Sequence, residues 1–173
     1  MITLVTGGSK CGKSGFAERA LDDFFGKKYY IASMKPYGRE AEAAIKRHRL
    51  MRQGKGFETI EKYTDIHELS VPEGSAVLLE CIPNLLANEM FGEVYDPDPA
   101  EKIIDGIKKL AGRTERFVIV SGETGSDGNN YTSETMQYIK VLAKINRLIT
   151  EISDTAAECV YGIPYFLKGG TVS

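Results

Sequence analysis

The sequence predicts an α/β protein with a mainly parallel sheet flanked by helices on both faces. Short apolar runs that read as strands alternate with stretches of helical periodicity along the whole chain. Two of those runs, residues 77–81 and 117–120, are compact enough for strands buried on both faces, and the first run of the chain ends in glycines that open a helical pattern.

Ile2, Leu4 and Val5 form the first strand, and Phe16, Ala17, Ala20, Leu21 and Phe24 then recur at helical spacing. A second strand is expected over 28–33, carrying Tyr29, Tyr30 and Ile31, with a helix over 39–52 after the turn at 36–38. A polar stretch separates it from the strand at 77–81. Helical patterns follow at 84–91 and 100–110, then the strand at 117–120. Beyond a loop at 122–131, Tyr138, Val141, Leu142, Ile145, Leu148, Ile149 and Ile152 mark a long amphipathic helix, with Thr132 or Ser133 as its N-cap. Short strands at 158–161 and 165–167 complete the sheet. Right-handed crossovers gather the strands' carboxyl ends on one side, so the glycine loop, the residues after Tyr30, Glu80 with Cys81, and the loop from Gly122 should share one crevice.

A chain of 173 residues suits a single domain, residues 1–173, with one sizeable core. Hydrophobic residues at 42% against 27% charged exclude a disordered or fibrous chain, and a net charge of -2 supplies no general field for nucleic acid. No stretch is long and apolar enough for a membrane span, and the opening apolar run is too short for a secretory signal. Cys11, Cys81 and Cys159 form no C-x-x-C pair, so neither a disulfide framework nor a structural zinc site is expected. Free thiols fit a cytoplasmic location.

Gly7-Gly8-Ser9-Lys10-Cys11-Gly12-Lys13-Ser14 satisfies G-x-x-x-x-G-K-S directly between a strand and a helix, the context in which this pattern binds phosphate. The glycines let backbone N–H groups close around a polyphosphate, Lys13 adds a positive charge, and Ser14 offers an oxygen to Mg2+. The loop makes the chain a P-loop NTPase of the RecA-like kind, binding ATP or GTP. Cys11 is assigned no chemistry within it. Glu80, ending an apolar strand, is the acidic residue expected to act on Mg2+ directly or through water.

Ala41, Ala44, Ile45 and His48 follow i, i+3, i+4, i+7, with Arg52 one turn on, so His48 belongs to the inward stripe of its helix. Lys46, Arg47, Arg49 and Arg52 should disfavour a charged imidazole and attract phosphate. A neutral imidazole there is a competent nucleophile toward phosphorus; the plainer alternative is a basic surface helix with one packed histidine. His67 reads as a surface or structural residue. The basic helix lacks the aromatic platform of a nucleic-acid binder, so no nucleic-acid partner is expected.

These residues resemble the bifunctional adenosylcobinamide kinase and adenosylcobinamide-phosphate guanylyltransferase family. The resemblance rests on Leu4-Val5-Thr6-Gly7-Gly8 with the P-loop, Tyr30-Ile31-Ala32 with Ser33, His48-Arg49, Thr59-Ile60-Glu61, Leu78-Leu79-Glu80-Cys81 with Asn88, Glu123 with Gly125, and Gly162-Ile163-Pro164 with Lys168. It implies that His48 attacks the α-phosphorus of GTP, and that the GMP passes to adenosylcobinamide phosphate. It further implies that Gly7 to Ser14, Ile31, Ala32, Ser33, Arg49, Leu50, Met51, Arg52, Glu61 and Glu80 contact the nucleotide. A kinase step, with Lys13 beside the transferred phosphate, would phosphorylate adenosylcobinamide from ATP or GTP, with Glu80 or Glu123 as its candidate base. The resemblance also implies a homotrimer. The second half departs from the family pattern, with Gly122-Glu123-Thr124-Gly125 where Asn-Glu-Val-Gly is usual.

Two other functions fit the phosphate loop alone. A small-molecule kinase would release a nucleoside diphosphate and never modify His48. A RecA-like nucleotide switch would change its assembly with the bound nucleotide and turn over no small acceptor.

Overall fold

The computed structural model describes residues 1–92, 96–123 and 131–169. Among them, seven strands form one sheet in the order β3-β2-β4-β5-β1-β6-β7. These are β1 (Ile2–Thr6), β2 (Lys28–Ala32), β3 (Phe57–Glu61), β4 (Ser75–Glu80), β5 (Thr114–Val120), β6 (Thr155–Val160) and β7 (Ile163–Lys168). All pair in parallel except β7, which runs antiparallel to β6 at one edge. The interior strand β1 pairs Leu4 with Ile119 of β5 on one side and with Ala156 of β6 on the other.

Side-chain alternation divides the strands between two apolar layers. Leu4, Tyr29, Ile31, Val77, Leu79, Phe117 and Ile119 meet helices α3 (Ile82–Phe91), α4 (Pro99–Ala111) and α5 (Ser133–Ile152). Val5, Tyr30, Leu78, Val118 and Val120 point the other way, toward Phe16 and Ala17 of α1 (Lys13–Arg19) and the following Leu21 and Phe24. All six residues of β4 are buried, as expected for a strand covered on both faces. Asp98 caps α4 by accepting the Glu101 N–H, and Thr132, one of the two expected caps, accepts the Thr135 N–H at the start of α5.

The expected order of elements holds, with three differences. The polar stretch before β4 contains the edge strand β3 and a short 3-10 turn, Ile66–Glu68. Paired only through β2 and largely exposed, β3 has no need of an apolar run to announce it. The regular part of α1 ends at Arg19, and Leu21 and Phe24 reach the core from the turns that follow. The strands expected at 77–81, 117–120 and 158–161 begin two or three residues earlier, at Ser75, Thr114 and Thr155. Among the described residues no helix is long and apolar enough to cross a membrane.

Candidate active site

The loop after β1 is shaped by close backbone contacts. Gly7 adopts φ 133°, and a Cβ there would lie 2.5 Å from the Cys159 carbonyl oxygen; Gly12 adopts φ 98°, and its Cβ would lie 2.9 Å from Cα of Gly162. Only glycine fits both the conformation and the space. The β6–β7 turn thus presses the loop closed from behind, and Gly162 N–H donates to the Cys11 carbonyl at 2.7 Å. Lys13 Nζ is held inside the loop, donating to the Gly7 carbonyl at 2.8 Å and also to that of Gly8.

An open crevice of about 610 Å³ lies over this loop, walled by Met34 after β2, by Arg47, His48 and Met51 of helix α2 (Gly38–Arg52), by Glu80 and Cys81, and by residues 120–123 at and beyond the end of β5. The four segments expected to converge do so. Ser121 and Gly122 are steadied by Asn146 of α5, whose Oδ1 accepts the Ser121 hydroxyl at 2.5 Å and whose Nδ2 donates to the Gly122 carbonyl at 3.1 Å. Glu123 reaches the crevice wall, whereas Gly125, part of the sequence resemblance, and Thr124, part of the departure from the family pattern, lie outside the described residues.

Helix α2 presents the stripe its periodicity predicts: Ala41, Ala44, Ile45 and His48 are half-buried and Arg52 is buried. The electrostatic setting of His48 differs from the one expected. An acidic charge, the Glu80 carboxylate, lies 3.4 Å from Nδ1, because β4 delivers that carboxylate beneath the helix. Two of the arginines are turned to other partners, while Arg47 stays at the crevice wall. Arg49 pairs with Glu61 at 2.7 Å, and the Arg52 guanidinium lies 3.4 Å from the Tyr30 ring centroid while donating to Thr59 Oγ1 at 3.3 Å.

Glu80 links the loop to the histidine. One carboxylate oxygen accepts the Ser14 hydroxyl and lies beside His48; the other accepts the Tyr30 hydroxyl at 3.0 Å. The Tyr30 oxygen is in turn 3.2 Å from His48 Nδ1. Burial pushes the Glu80 carboxyl upward, but its contacts with His48, Ser14 and Tyr30 outweigh this and hold it below the ordinary carboxylate range. Burial, reinforced by the Glu80 charge, drives the Tyr30 hydroxyl strongly upward and keeps it protonated.

A second, small cavity behind His48 is lined by Tyr30, Ala32, Met34, Arg49, Arg52 and Glu61, among others, and His48 and Glu80 border both spaces. Arg52 is 7% exposed, yet its Nη1 has no hydrogen-bond partner among the described residues. Burying a cation with an unmatched donor is costly, so this position suits an anionic or carbonyl ligand.

Most of the residues singled out from sequence line these spaces. Ser9, Lys10, Cys11, Gly12, Lys13 and Ser14 line the crevice, as do Gly7 and Met51. Ile31, Ser33 and Leu50 do not bring their side chains there. Ile31 is buried in the sheet, and Leu50 is 61% exposed on the outer face of α2. Ser33 is buried and pinned to Cys81, its Oγ accepting the Cys81 N–H at 2.7 Å and donating to the Cys81 carbonyl at 2.8 Å. His67 is tucked beside α4 with Nδ1 buried, a structural position. Sequence reasoning missed the role of Tyr30. Its only signal was a hydroxyl at a strand position that otherwise alternates into the core.

Residues 3–167 match the family described as cobinamide kinase / cobinamide phosphate guanyltransferase (CobU). The chain is similar to the bifunctional adenosylcobalamin biosynthesis protein CobU of Salmonella typhimurium, at 26% identity over 97% of this chain and 100% of that protein. It is similar to the same-named protein of Escherichia coli at 35% identity over 104 residues, 58% of this chain and 56% of that protein. The bifunctional protein CobP of Pseudomonas aeruginosa is 26% identical over 98% of each chain. Among solved structures, an ATPase from the type III secretion system of pathogenic bacteria superposes with a TM-score of 0.56 at 10% identity, covering 91% of this chain and 50% of that one. A separately solved ATPase domain gives 0.53 at 10% identity, covering 91% and 68%. These two likenesses concern the fold alone, which is that of RecA-like P-loop ATPases.

Proposed function

The chain belongs to the cobinamide kinase / cobinamide phosphate guanyltransferase family, enzymes of cobalamin biosynthesis, and from that membership we propose that it transfers GMP through a guanylylated His48. In this reading the P-loop holds the phosphates of GTP, His48 takes the guanylyl group with release of pyrophosphate, and adenosylcobinamide phosphate receives it. The same loop serves the kinase step, which phosphorylates adenosylcobinamide from ATP or GTP with Lys13 beside the transferred group.

The observation that carries the reading is the placement of His48: its ring borders the P-loop crevice and, through Glu80, is linked to Ser14 at the loop's end. Nucleotidyl transfer requires little beyond alignment and neutralised charge, and a histidine at the phosphate site divides one displacement into two. Arg49, Arg52 and Glu61 provide charged and hydrogen-bonding groups behind His48 where the nucleoside portion is read.

The Ser14 hydroxyl and Glu80 carboxylate are hard oxygen donors in mutual contact, a pair that fits Mg2+ held by one or two protein oxygens and the substrate phosphates. Bound there, Mg2+ would neutralise phosphate charge. We further place the enzyme in the cytoplasm as a homotrimer without a nucleic-acid partner; sedimentation measures the oligomeric state directly.

Intact-protein mass spectrometry after incubation with GTP and Mg2+, under neutral or alkaline handling that preserves a phosphoramidate, tests the central step. A GMP-sized gain in the wild type that disappears in His48→Ala is expected. No adduct and no pyrophosphate, with GTP binding confirmed, would replace this reading by a kinase that never modifies His48.

A further inference from the structure

We propose that Tyr30 is a positioning residue that fixes the His48 tautomer, so that Nε2 is the nitrogen that attacks phosphorus. This rests on the guanylyltransferase reading above and deepens it.

The hydrogen bonds have only one consistent direction. A glutamate carboxylate is ionised at neutral pH and can only accept, and Glu80 already accepts the Ser14 hydroxyl on its other oxygen, so the Tyr30 hydroxyl at 3.0 Å must donate to it. With its proton committed, the Tyr30 oxygen facing His48 Nδ1 at 3.2 Å is an acceptor. The Glu80 carboxylate, 3.4 Å from the same nitrogen, is an acceptor too. Two acceptors converge on Nδ1, so in the neutral ring Nδ1 carries the hydrogen and Nε2 carries the lone pair.

The Tyr30 side chain is itself immobilised. It is 3% exposed, its ring lies edge-on to Phe57 with centroids 6.4 Å apart, and the Arg52 guanidinium covers its face. The hydroxyl therefore presents a fixed oxygen to the imidazole. When the Nε2 lone pair forms the bond to the α-phosphorus of GTP, the bridging phosphorus–oxygen bond breaks and its electron pair leaves on pyrophosphate. The proton stays on Nδ1, and the positive charge that develops on the ring is met by Glu80. An acceptor that orients the imidazole in this way acts on the reaction through His48, not on the phosphorus itself.

Tyr30→Phe isolates the role, because it keeps the ring beneath Arg52 and removes only the hydroxyl. With histidine-labelled protein, isotope-edited NMR reads the His48 tautomer before GTP is added and the nitrogen bearing phosphorus afterwards. In the wild type we expect the Nδ1–H tautomer and GMP on Nε2. In Tyr30→Phe, where only the more distant Glu80 oxygen still faces Nδ1, we expect a larger share of the Nε2–H tautomer than in the wild type and guanylylation at saturating GTP slowed about 10- to 100-fold. GMP on Nδ1, an Nε2–H tautomer in the wild type, or Tyr30→Phe reacting at the wild-type rate would overturn the inference while leaving the guanylyltransferase reading intact. A wild-type protein that forms no adduct overturns both.

Discussion

The Arg52 guanidinium lies over the ring of Tyr30, its carbon 3.4 Å from the centroid, and both residues line the space behind His48. Stacking and the bond to Thr59 hold the guanidinium in place, which leaves Nη1 as a buried donor with no protein partner among the described residues. If GTP supplies the missing acceptor, Arg52→Ala should lower guanylylation efficiency by about 1.5–3 kcal/mol, roughly 10- to 100-fold, the worth of a hydrogen bond to a charged group. Arg52→Lys should not restore it, since an ammonium neither stacks nor forks as a guanidinium does. Titration calorimetry with GTP and the rate of pyrophosphate release check both variants; a fully active Arg52→Lys would show that charge alone suffices.

Gly106 lies in the middle of α4, where alanine would ordinarily strengthen the helix by about 1 kcal/mol. Here a Cβ would lie 2.6 Å from Ile66 Cγ1 and 2.9 Å from the His67 backbone nitrogen, and Ile66 is itself fully packed. Gly106→Ala is therefore expected to destabilise the protein, with a net loss of about 1–3 kcal/mol from overpacking. The denaturant midpoint measures it. Because α4 covers the opposite face of the sheet from α1, GTP binding by the folded protein should survive.

What the sequence made legible follows from where each signal originates. The P-loop was visible because its glycines answer local backbone demands, and the stripe from Ala41 to His48 was visible because helix α2 has one inward side. The acidic partner of His48 was not visible as such. Glu80 is 32 residues away in sequence, and only the pairing of β2 with β4 brings it under α2 beside Tyr30. The cations at 46, 47, 49 and 52 dominated the sequence reading because they are neighbours along the chain, while folding turned Arg49 and Arg52 to Glu61 and Tyr30. Strand β3 escaped for the reason edge strands often do: with one side unpaired, it can stay polar.

Asp98 ties stability to pH at the start of α4. Its Oδ1 accepts the Glu101 N–H at 3.0 Å, and Lys144 of α5 approaches the same carboxylate at 3.2 Å. The bond from Glu101, opposed by burial and aided by Lys144, lowers its pKa from 3.8. A folded-state pKa below the unfolded one gives stability that is present above pH 3.8 and is lost as the pH falls through the folded value. Asp98→Ala should cost about 0.5–2 kcal/mol at neutral pH as a lost cap, whereas Asp98→Asn keeps the cap and loses only the charge. Thermal melts of wild type and Asp98→Asn should differ at neutral pH and converge in acid. A difference that widened in acid would reverse the sign of the linkage.

The three thiols should separate by reactivity, and nucleotide should control the fast one. Burial pushes the Cys81 thiol up to about 11, leaving little thiolate at neutral pH, and burial also raises Cys159, which is 1% exposed. Cys11 is partly exposed and lines the crevice inside the P-loop, with Sγ 3.8 Å from Lys13 Nζ. A maleimide should therefore modify Cys11 first, and GTP with Mg2+ should protect it, because phosphates seated in the loop cover the same opening. Intact mass after brief labelling should show one rapid adduct without nucleotide and far less with it, and Cys11→Ser should remove that adduct. Rapid labelling that GTP left unchanged would place the phosphates away from the Cys11 side of the loop.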